Sequence, residues 1–395
     1  MISDRLDELT DYPFPRLDAL IADLPLPDGE TAIPMWMGEP KHGVPEIARD
    51  TLSSRFDDYG RYPPIEGTPG LRDAIAAWLT RRFSLPEGFI DPGRNIMPVA
   101  GTREALFMIA IAAVPTEKAG RQPAVLMPNP FYQPYKGGAL SAGGEPIYLP
   151  CGPESGFLPD LDALTPELLD RTALFYLCSP ANPQGAIAGR DYLRRAVDLA
   201  RRHDFILASD ECYAEIYDKA PPPSALEICA QDGDMTNVIA FHSLSKRSSV
   251  PGLRSGFIAG DPDFIKAFVR LRKYAAASSS FAAYDTAERL WRDEAHVEAN
   301  RALYREKIDI AERILGNRFG FFRPPGGFFL WLDVGDGEEA ARTLWSKAAV
   351  KALPGAYLAA SREGEPNPAQ AYIRVALVND IDTTREALTR LAEVL

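Results

Sequence analysis

From about residue 70 to 260 the chain alternates short, wholly apolar runs with longer stretches in which apolar residues return every three or four positions. The runs at 124–127, 174–177, 205–208, 238–241 and 257–259 show no polar alternation, as expected of strands covered on both faces. Residues 71–83 set Leu71, Ile75, Trp78, Leu79 and Phe83 along one helical face, and 191–202 repeats the pattern. Buried strands separated by helices predict a largely parallel, two-sided α/β sheet. After residue 260 the rhythm changes. Helical patterns run from 263 to about 315, followed by PPGGFFLWLDV, a helix, the short strand VKALPG, and the strand AYIRVALV before a last helix. That is an α+β pattern, which the first 45 or so residues complete. A length of 395 residues also favours two domains. The expected division is 46–285 for the large one, and 1–45 with 286–395 for the small one.

Composition changes this picture little. With 46% hydrophobic and 25% charged residues, and 35 prolines and 30 glycines scattered as loop punctuation, the chain reads as an ordinary globular protein. A formal charge of −12 argues against nucleic acid or an anionic membrane as the main partner, because both require a positive surface. It leaves room for an anionic small molecule in a cleft lined by a few arginines. The opening MISDRLDELTDYPF has no basic stretch leading into an apolar one and is not read as a signal peptide. No apolar run nears the ~18–20 residues that span a bilayer. Cys151, Cys178, Cys212 and Cys229 have neither metal nor disulfide spacing, so a reducing cytoplasm is expected and no metal.

Chemistry-bearing residues fall just past the carboxyl ends of the expected strands, where α/β sheets place ligands. SDECY follows FILA. Asp210 and Glu211 there suit a helix N-cap, but a buried carboxylate also suits a protonated pyridine nitrogen, with Tyr213 one turn on. SLSKRSSVPGLRSGF follows VIAFH. Lys246 is a loop charge or an amine that attacks a carbonyl, Arg254 offers a fork for phosphate, and Ser243 a hydroxyl. Gly101-Thr102 opens an apolar helix, as an N-cap or as a phosphate site whose backbone amides are free. In CSPANPQG, proline-bounded Asn182 either caps its own turn or aims its amide past the strand. Arg374 interrupts the apolar strand AYIRVALV, where a charge is costly unless exposed or paired with an anion. Tyr132 or Phe131 can stack on a flat ring. Gly38 permits close approach of its backbone to a small ligand.

Together these residues resemble the fold type I, pyridoxal 5′-phosphate (PLP) dependent aminotransferases of class I/II, and the resemblance runs nearly the whole chain. It implies a large domain built on a mostly parallel seven-stranded sheet between helices, plus a smaller α+β domain. It further implies that Lys246 carries the cofactor and Asp210 pairs with the ring nitrogen. Asn182 and Tyr213 meet the phenolic oxygen, and Tyr132 stacks on the ring. Gly101, Thr102, Arg103, Ser243 and Arg254 bind the phosphate end. Arg374, helped by the Gly38 amide, clamps the substrate α-carboxylate. In this family the tyrosine matching Tyr62 reaches the partner's site, so a homodimer with shared active sites is implied. YPFPRLDAL, GEPKHGVPEI and LWSKAAVKALPGAYLA are similar to the proteobacterial N-succinyldiaminopimelate aminotransferases of lysine biosynthesis. Ala181 departs from an Asn-Asn-Pro pattern but keeps the second asparagine. Other readings are an aminotransferase of different specificity or a carbon–sulfur β-lyase using the same lysine and aspartate. Two more are a non-catalytic PLP-binding regulator, for which no basic DNA-binding extension is found, and a doubly wound enzyme with another cofactor, for which no G-x-G-x-x-G or P-loop is found. Lys41, His42, Arg272 and Lys273 are candidates for the distal end of the substrate on charge alone.

Overall fold

In the computed structural model, residues 7–9, 11–276, 278–361, 364 and 366–395 are described; residues 1–6 and 10 of the opening segment lie outside them. The five apolar runs all become strands of one seven-stranded sheet. Its order is Ile96–Val99, Gly256–Gly260, Val238–Ser243, Ile206–Asp210, Thr172–Cys178, Ala124–Asn129 and Glu145–Pro150. Only Gly256–Gly260 runs against its two neighbours; the other pairs are parallel. The two strands not expected from the sequence are the two edges. Ile96–Val99 has four residues and carries Pro98, and Glu145–Pro150 is mostly half-buried and carries Pro146 and Pro150. Prolines are tolerated on an edge because no neighbour needs their missing N–H.

Helices cover both faces. Pro69–Phe83 starts where Thr68 accepts a hydrogen bond from the Leu71 amide, and ends at Ser84 in the left-handed region. It buries Leu71, Ile75, Trp78, Leu79 and Phe83. Arg190–Arg202 buries Leu193, Ala196, Val197 and Ala200, the i, i+3, i+4, i+7 stripe of a helix with one face on the core.

The helical stretch after residue 260 is three helices, Pro262–Ala275, Phe281–Arg292 and Ala295–Leu315. The second crosses the expected boundary at 285, and its Tyr284, Ala287, Leu290 and Trp291 join the same apolar cluster as Trp78. A three-stranded antiparallel sheet follows, ordered Leu353–Pro354, Tyr372–Ala376, Phe329–Asp333. VKALPG is not one strand but two, since Val350–Lys351 pairs in parallel with Ile33–Pro34. Ile33 and Met35 thereby enter a core with Ile308, Leu330, Leu344 and Val375. Among the described residues no helix is long and apolar enough to cross a membrane.

Candidate active site

Four adjacent parallel strands, ending at Ser243, Asp210, Cys178 and Asn129, run out toward one cavity of about 650 Å³. The parallel arrangement puts all four carboxyl ends on one side of the sheet, which is why polar residues distant in sequence meet there.

Asp210 is the last residue of its strand, and a turn follows rather than a helix, so the N-cap explanation does not hold. Its side chain is buried and accepts from the Tyr135 hydroxyl at 2.5 Å and from the Cys212 amide at 3.3 Å. Burial raises its pKa, while the bonds from Cys212 and Tyr135 pull the other way and favour the carboxylate. Glu211 points elsewhere: it accepts from Ser209 Oγ at 2.9 Å and the Ala225 amide at 3.0 Å, and lies 3.1 Å from His242 Nε2.

Lys246 sits in the short helix Leu244–Arg247 rather than in a loop, and Ser243 caps that helix by accepting from the Ser245 amide. Its Nζ donates to the Gly38 carbonyl and faces the rings of Tyr213 and Phe328 at 5.9 and 5.5 Å. Burial lowers its pKa to about 8, with the Arg374 charge adding to the effect. The amine is therefore far easier to deprotonate than an exposed lysine. Gly38 contributes its carbonyl here, where its amide was expected; a Cβ on it would fall 2.5 Å from Phe329 Cζ.

Arg374 lies in the middle strand of the small sheet, not on an edge, and is buried. It donates to Asn182 Oδ1 at 3.0 Å and to the Trp36 carbonyl at 2.8 Å, packs over the Phe329 ring, and leaves Nε without a partner. Burial lowers its pKa to about 10, which keeps it charged at neutral pH. A buried, charged guanidinium with an unused N–H is poised for an anion.

Gly101 caps the helix Thr102–Ala113 with φ +87°, and a Cβ on it would lie 2.2 Å from Arg254 Nη2. Arg254 itself adopts φ +52° and is held by a bond to the Pro251 carbonyl at 2.9 Å. Thr102, Ser243 and Arg254 share the cavity wall, giving a helix N-terminus, two hydroxyls and a guanidinium for a phosphate. Tyr213 is buried, and burial pushes its phenol well above the usual range, so it remains an O–H donor. Tyr132 lines the cavity and accepts from Arg103 Nε at 2.8 Å.

The expected site residues line the cavity except Gly101, which sits behind Arg254, and Tyr62, which is fully exposed. The four residues chosen for the distal end do not line it. Lys41 donates to Asn379, His42 bonds Asn300 and Lys307, Arg272 pairs with Glu104, and Lys273 pairs with Glu66. Two contributors went unread. Tyr135 stacks on Tyr176 with ring centroids 4.3 Å apart while serving Asp210. Tyr12 receives a hydrogen bond from Arg103 Nη2 at 3.1 Å. The signal for Tyr135 was its place three residues after Tyr132 at a helix start, which turns both toward the sheet. Tyr12, Arg103, Gln133 and Arg254 also line a second cavity of about 680 Å³, so their side chains form a shared wall.

The residues fit PLP: an amine with a lowered pKa, a buried carboxylate, a phosphate cup and a phenol all face one space. Tyr135→Phe is expected to push the Asp210 pKa further up and weaken PLP binding about tenfold to a hundredfold, the worth of a hydrogen bond to a charged group. The loss should grow as pH falls and the acid takes up its proton, as a fluorescence titration of cofactor-free protein with PLP will show.

The profile of the aminotransferase class I and II family matches residues 31–393. A relative named LL-diaminopimelate aminotransferase, from Desulforudis audaxviator, is 31% identical over 406 residues, spanning 98% of this chain and 96% of its own. The solved structure of an aminotransferase from Neisseria meningitidis is 40% identical with a TM-score of 0.93, covering 99% of both chains. Aminotransferase AspB from Helicobacter pylori is 33% identical with a TM-score of 0.89, covering 97% of this chain and 98% of that one. The chain belongs to the class I and II aminotransferases, a PLP-dependent family with the type I fold.

Proposed function

We propose that this aminotransferase acts in the diaminopimelate route to lysine, exchanging amino groups between N-succinyl-LL-2,6-diaminopimelate and 2-oxoglutarate. The reading rests on one observation above others: Asp210 and three cations, Lys246, Arg254 and Arg374, converge on a single cavity that also holds a fourth cation, Arg103, at its wall. Arg374 takes the α-carboxylate, and Asn182 holds one of its nitrogens in place. Arg103, expected at the phosphate end, is instead turned to Tyr132 and Tyr12, and is the cation left for a second carboxylate, which fits both glutamate and a succinylated diaminopimelate. The LL-diaminopimelate aminotransferases among its relatives support the pathway, and the sequence texture supports the succinyl form.

When bound, PLP supplies an electron sink for negative charge at the substrate Cα. Asp210 favours the protonated ring nitrogen by charge pairing. Thr102, Ser243 and Arg254 hold the phosphate, and Tyr213 donates to the phenolic oxygen. Lys246 Nζ would be the base that takes the proton from the substrate Cα and the acid that gives it back. Two half-reactions on one site give ping-pong kinetics. Because the amine is protonated below a pKa of about 8, PLP uptake by cofactor-free protein should accelerate as pH rises through that value. A stopped-flow pH series measures this, and a flat profile would count against Lys246 as the attacking amine.

A donor and acceptor panel scored by kcat/KM tests the substrate. The reading predicts that N-succinyl-LL-diaminopimelate with 2-oxoglutarate ranks first. Preference for unsuccinylated LL-diaminopimelate or for acetylornithine would replace the substrate, and pyruvate from cysteine conjugates would indicate a β-lyase. Arg103→Leu is expected to lower kcat/KM for dicarboxylic donors by about thirtyfold or more while sparing monocarboxylic ones.

The same proposal extends to the assembly. A homodimer gives the exposed Tyr62 a phosphate to reach in the partner's site. The large and small domains divide most naturally between Phe281–Arg292 and Ala295–Leu315, because a break at 285 would cut a helix packed on the large sheet. Four free, buried cysteines suit a reducing cytoplasm.

A further inference from the structure

Behind the cavity, three polar side chains with no part in the chemistry above form a line that ends on the backbone of Lys246. Asn300, buried in the helix Ala295–Leu315, donates from Nδ2 to the carbonyls of Lys246 and Arg247, both at 3.1 Å. Those carbonyls belong to the last turn of a four-residue helix and have no partner within it. Asn300 Oδ1 meets His42 Nδ1 at 2.6 Å, and His42 Nε2 meets Lys307 Nζ at 2.6 Å.

Direction follows from what each atom is able to do. The two carbonyls only accept, so the Asn300 amide must present its nitrogen to them and its oxygen to His42. An amide oxygen only accepts, so His42 Nδ1 must carry a proton. His42 Nε2 and Lys307 Nζ then share one proton between two bases. Burial lowers the pKa of both, and their proximity opposes a second charge. Lys307 also donates to the Leu377 carbonyl at 3.2 Å, and Asp380 lies near enough to favour its charged form. Lys41, next to His42, is turned to Asn379. The His42 ring leans on Tyr304, which stacks on Phe328, the ring facing the Lys246 amine.

The other end of Lys246 is held by the same stretch of chain. Its amine donates to the carbonyl of Gly38, four residues before His42, and Ser249 Oγ donates to the His42 carbonyl at 3.2 Å. We propose that Asn300, oriented by His42 and Lys307, is a positioning residue for Lys246, fixing its backbone so that the amine stays desolvated and aimed into the cavity. This deepens the proposed function and rests on Lys246 being the lysine that takes PLP.

The unsubstituted chain offers the first test. It has four histidines, so ring ¹⁵N spectra are tractable, with His42→Asn identifying the signal. His42 is expected with Nδ1 protonated throughout the titration; a neutral ring protonated only at Nε2 would overturn the proposal. The second test uses Asn300→Leu, which keeps about the same volume and deletes both donors to the lysine backbone without adding a charge that would itself raise a lysine pKa. In full-length, cofactor-free protein the pH midpoint for PLP uptake should move up toward that of an ordinary lysine. Each unit of movement slows uptake at pH 7 about tenfold. Lys307→Met removes the group that holds His42 Nε2, leaves the ring free to turn away from Asn300, and should shift the midpoint the same way. Folded variants whose midpoints match the parent would overturn the proposal, leaving the line a packing feature. If instead Lys246→Ala still takes up PLP with the parent's midpoint, the lysine assignment itself has failed.

Discussion

Lys246→Ala should yield a folded protein whose transamination rate falls by about four orders of magnitude or more, the combined worth of the attacking amine and the proton carrier. The visible absorbance of lysine-bound PLP should vanish with it. Folding should survive, because among the described residues the side chain's one polar contact is the Gly38 carbonyl, and removing a desolvated amine costs little. Lys246→Arg is the sharper variant. It keeps the positive charge and most of the volume, yet guanidinium does not lose its proton in proteins, so it should be as inactive as alanine. Circular dichroism and a single-turnover assay separate loss of chemistry from loss of fold. Turnover within tenfold of the parent in either variant would remove Lys246 from the mechanism.

The second large effect is expected at Arg374. Replacing it by alanine deletes the charge proposed to bind the α-carboxylate and leaves Asn182 Oδ1 and the Trp36 carbonyl without their donor. Truncating one partner of a buried charge pair costs about 2–5 kcal/mol. That corresponds to roughly thirtyfold to several-thousandfold in kcat/KM, carried mainly by KM. Arg374→Lys should recover only a small part, since one ammonium cannot serve Asn182, Trp36 and a carboxylate at once in the geometry of a planar fork. Steady-state kinetics with glutamate decide it: an unchanged KM in Arg374→Ala would show that the carboxylate is bound elsewhere.

How far the sequence revealed this depends on the kind of contact. The five inner strands were legible because full burial on both faces leaves no polar residue to blur the run. The edge strands Ile96–Val99 and Glu145–Pro150 were not, because one exposed edge relaxes that demand and admits proline. Asp210, Ser243, Lys246 and Arg374 stood out as polar residues breaking or ending apolar runs. Tyr135, Asn300 and Lys307 lie within helices, where tyrosine, asparagine and lysine are ordinary, and only the folded chain shows where they point. The four distal-end candidates failed for a related reason. Charge identifies a residue that wants a partner, and Lys41, His42, Arg272 and Lys273 each found one away from the cavity.

The wall shared by the two cavities is built from side chains, those of Tyr12, Arg103, Gln133 and Arg254, and not from a strand or helix. Side chains change rotamer in nanoseconds and can be exchanged one at a time without disturbing the sheet beneath them. On the proposed placement of the substrate tail against Arg103, how long a tail the protein accepts is decoupled from how it folds. Lineages sharing this scaffold can retune chain length through Tyr12, Arg103 and Gln133, while Arg254, the lysine, the aspartate and their strand ends stay where they are.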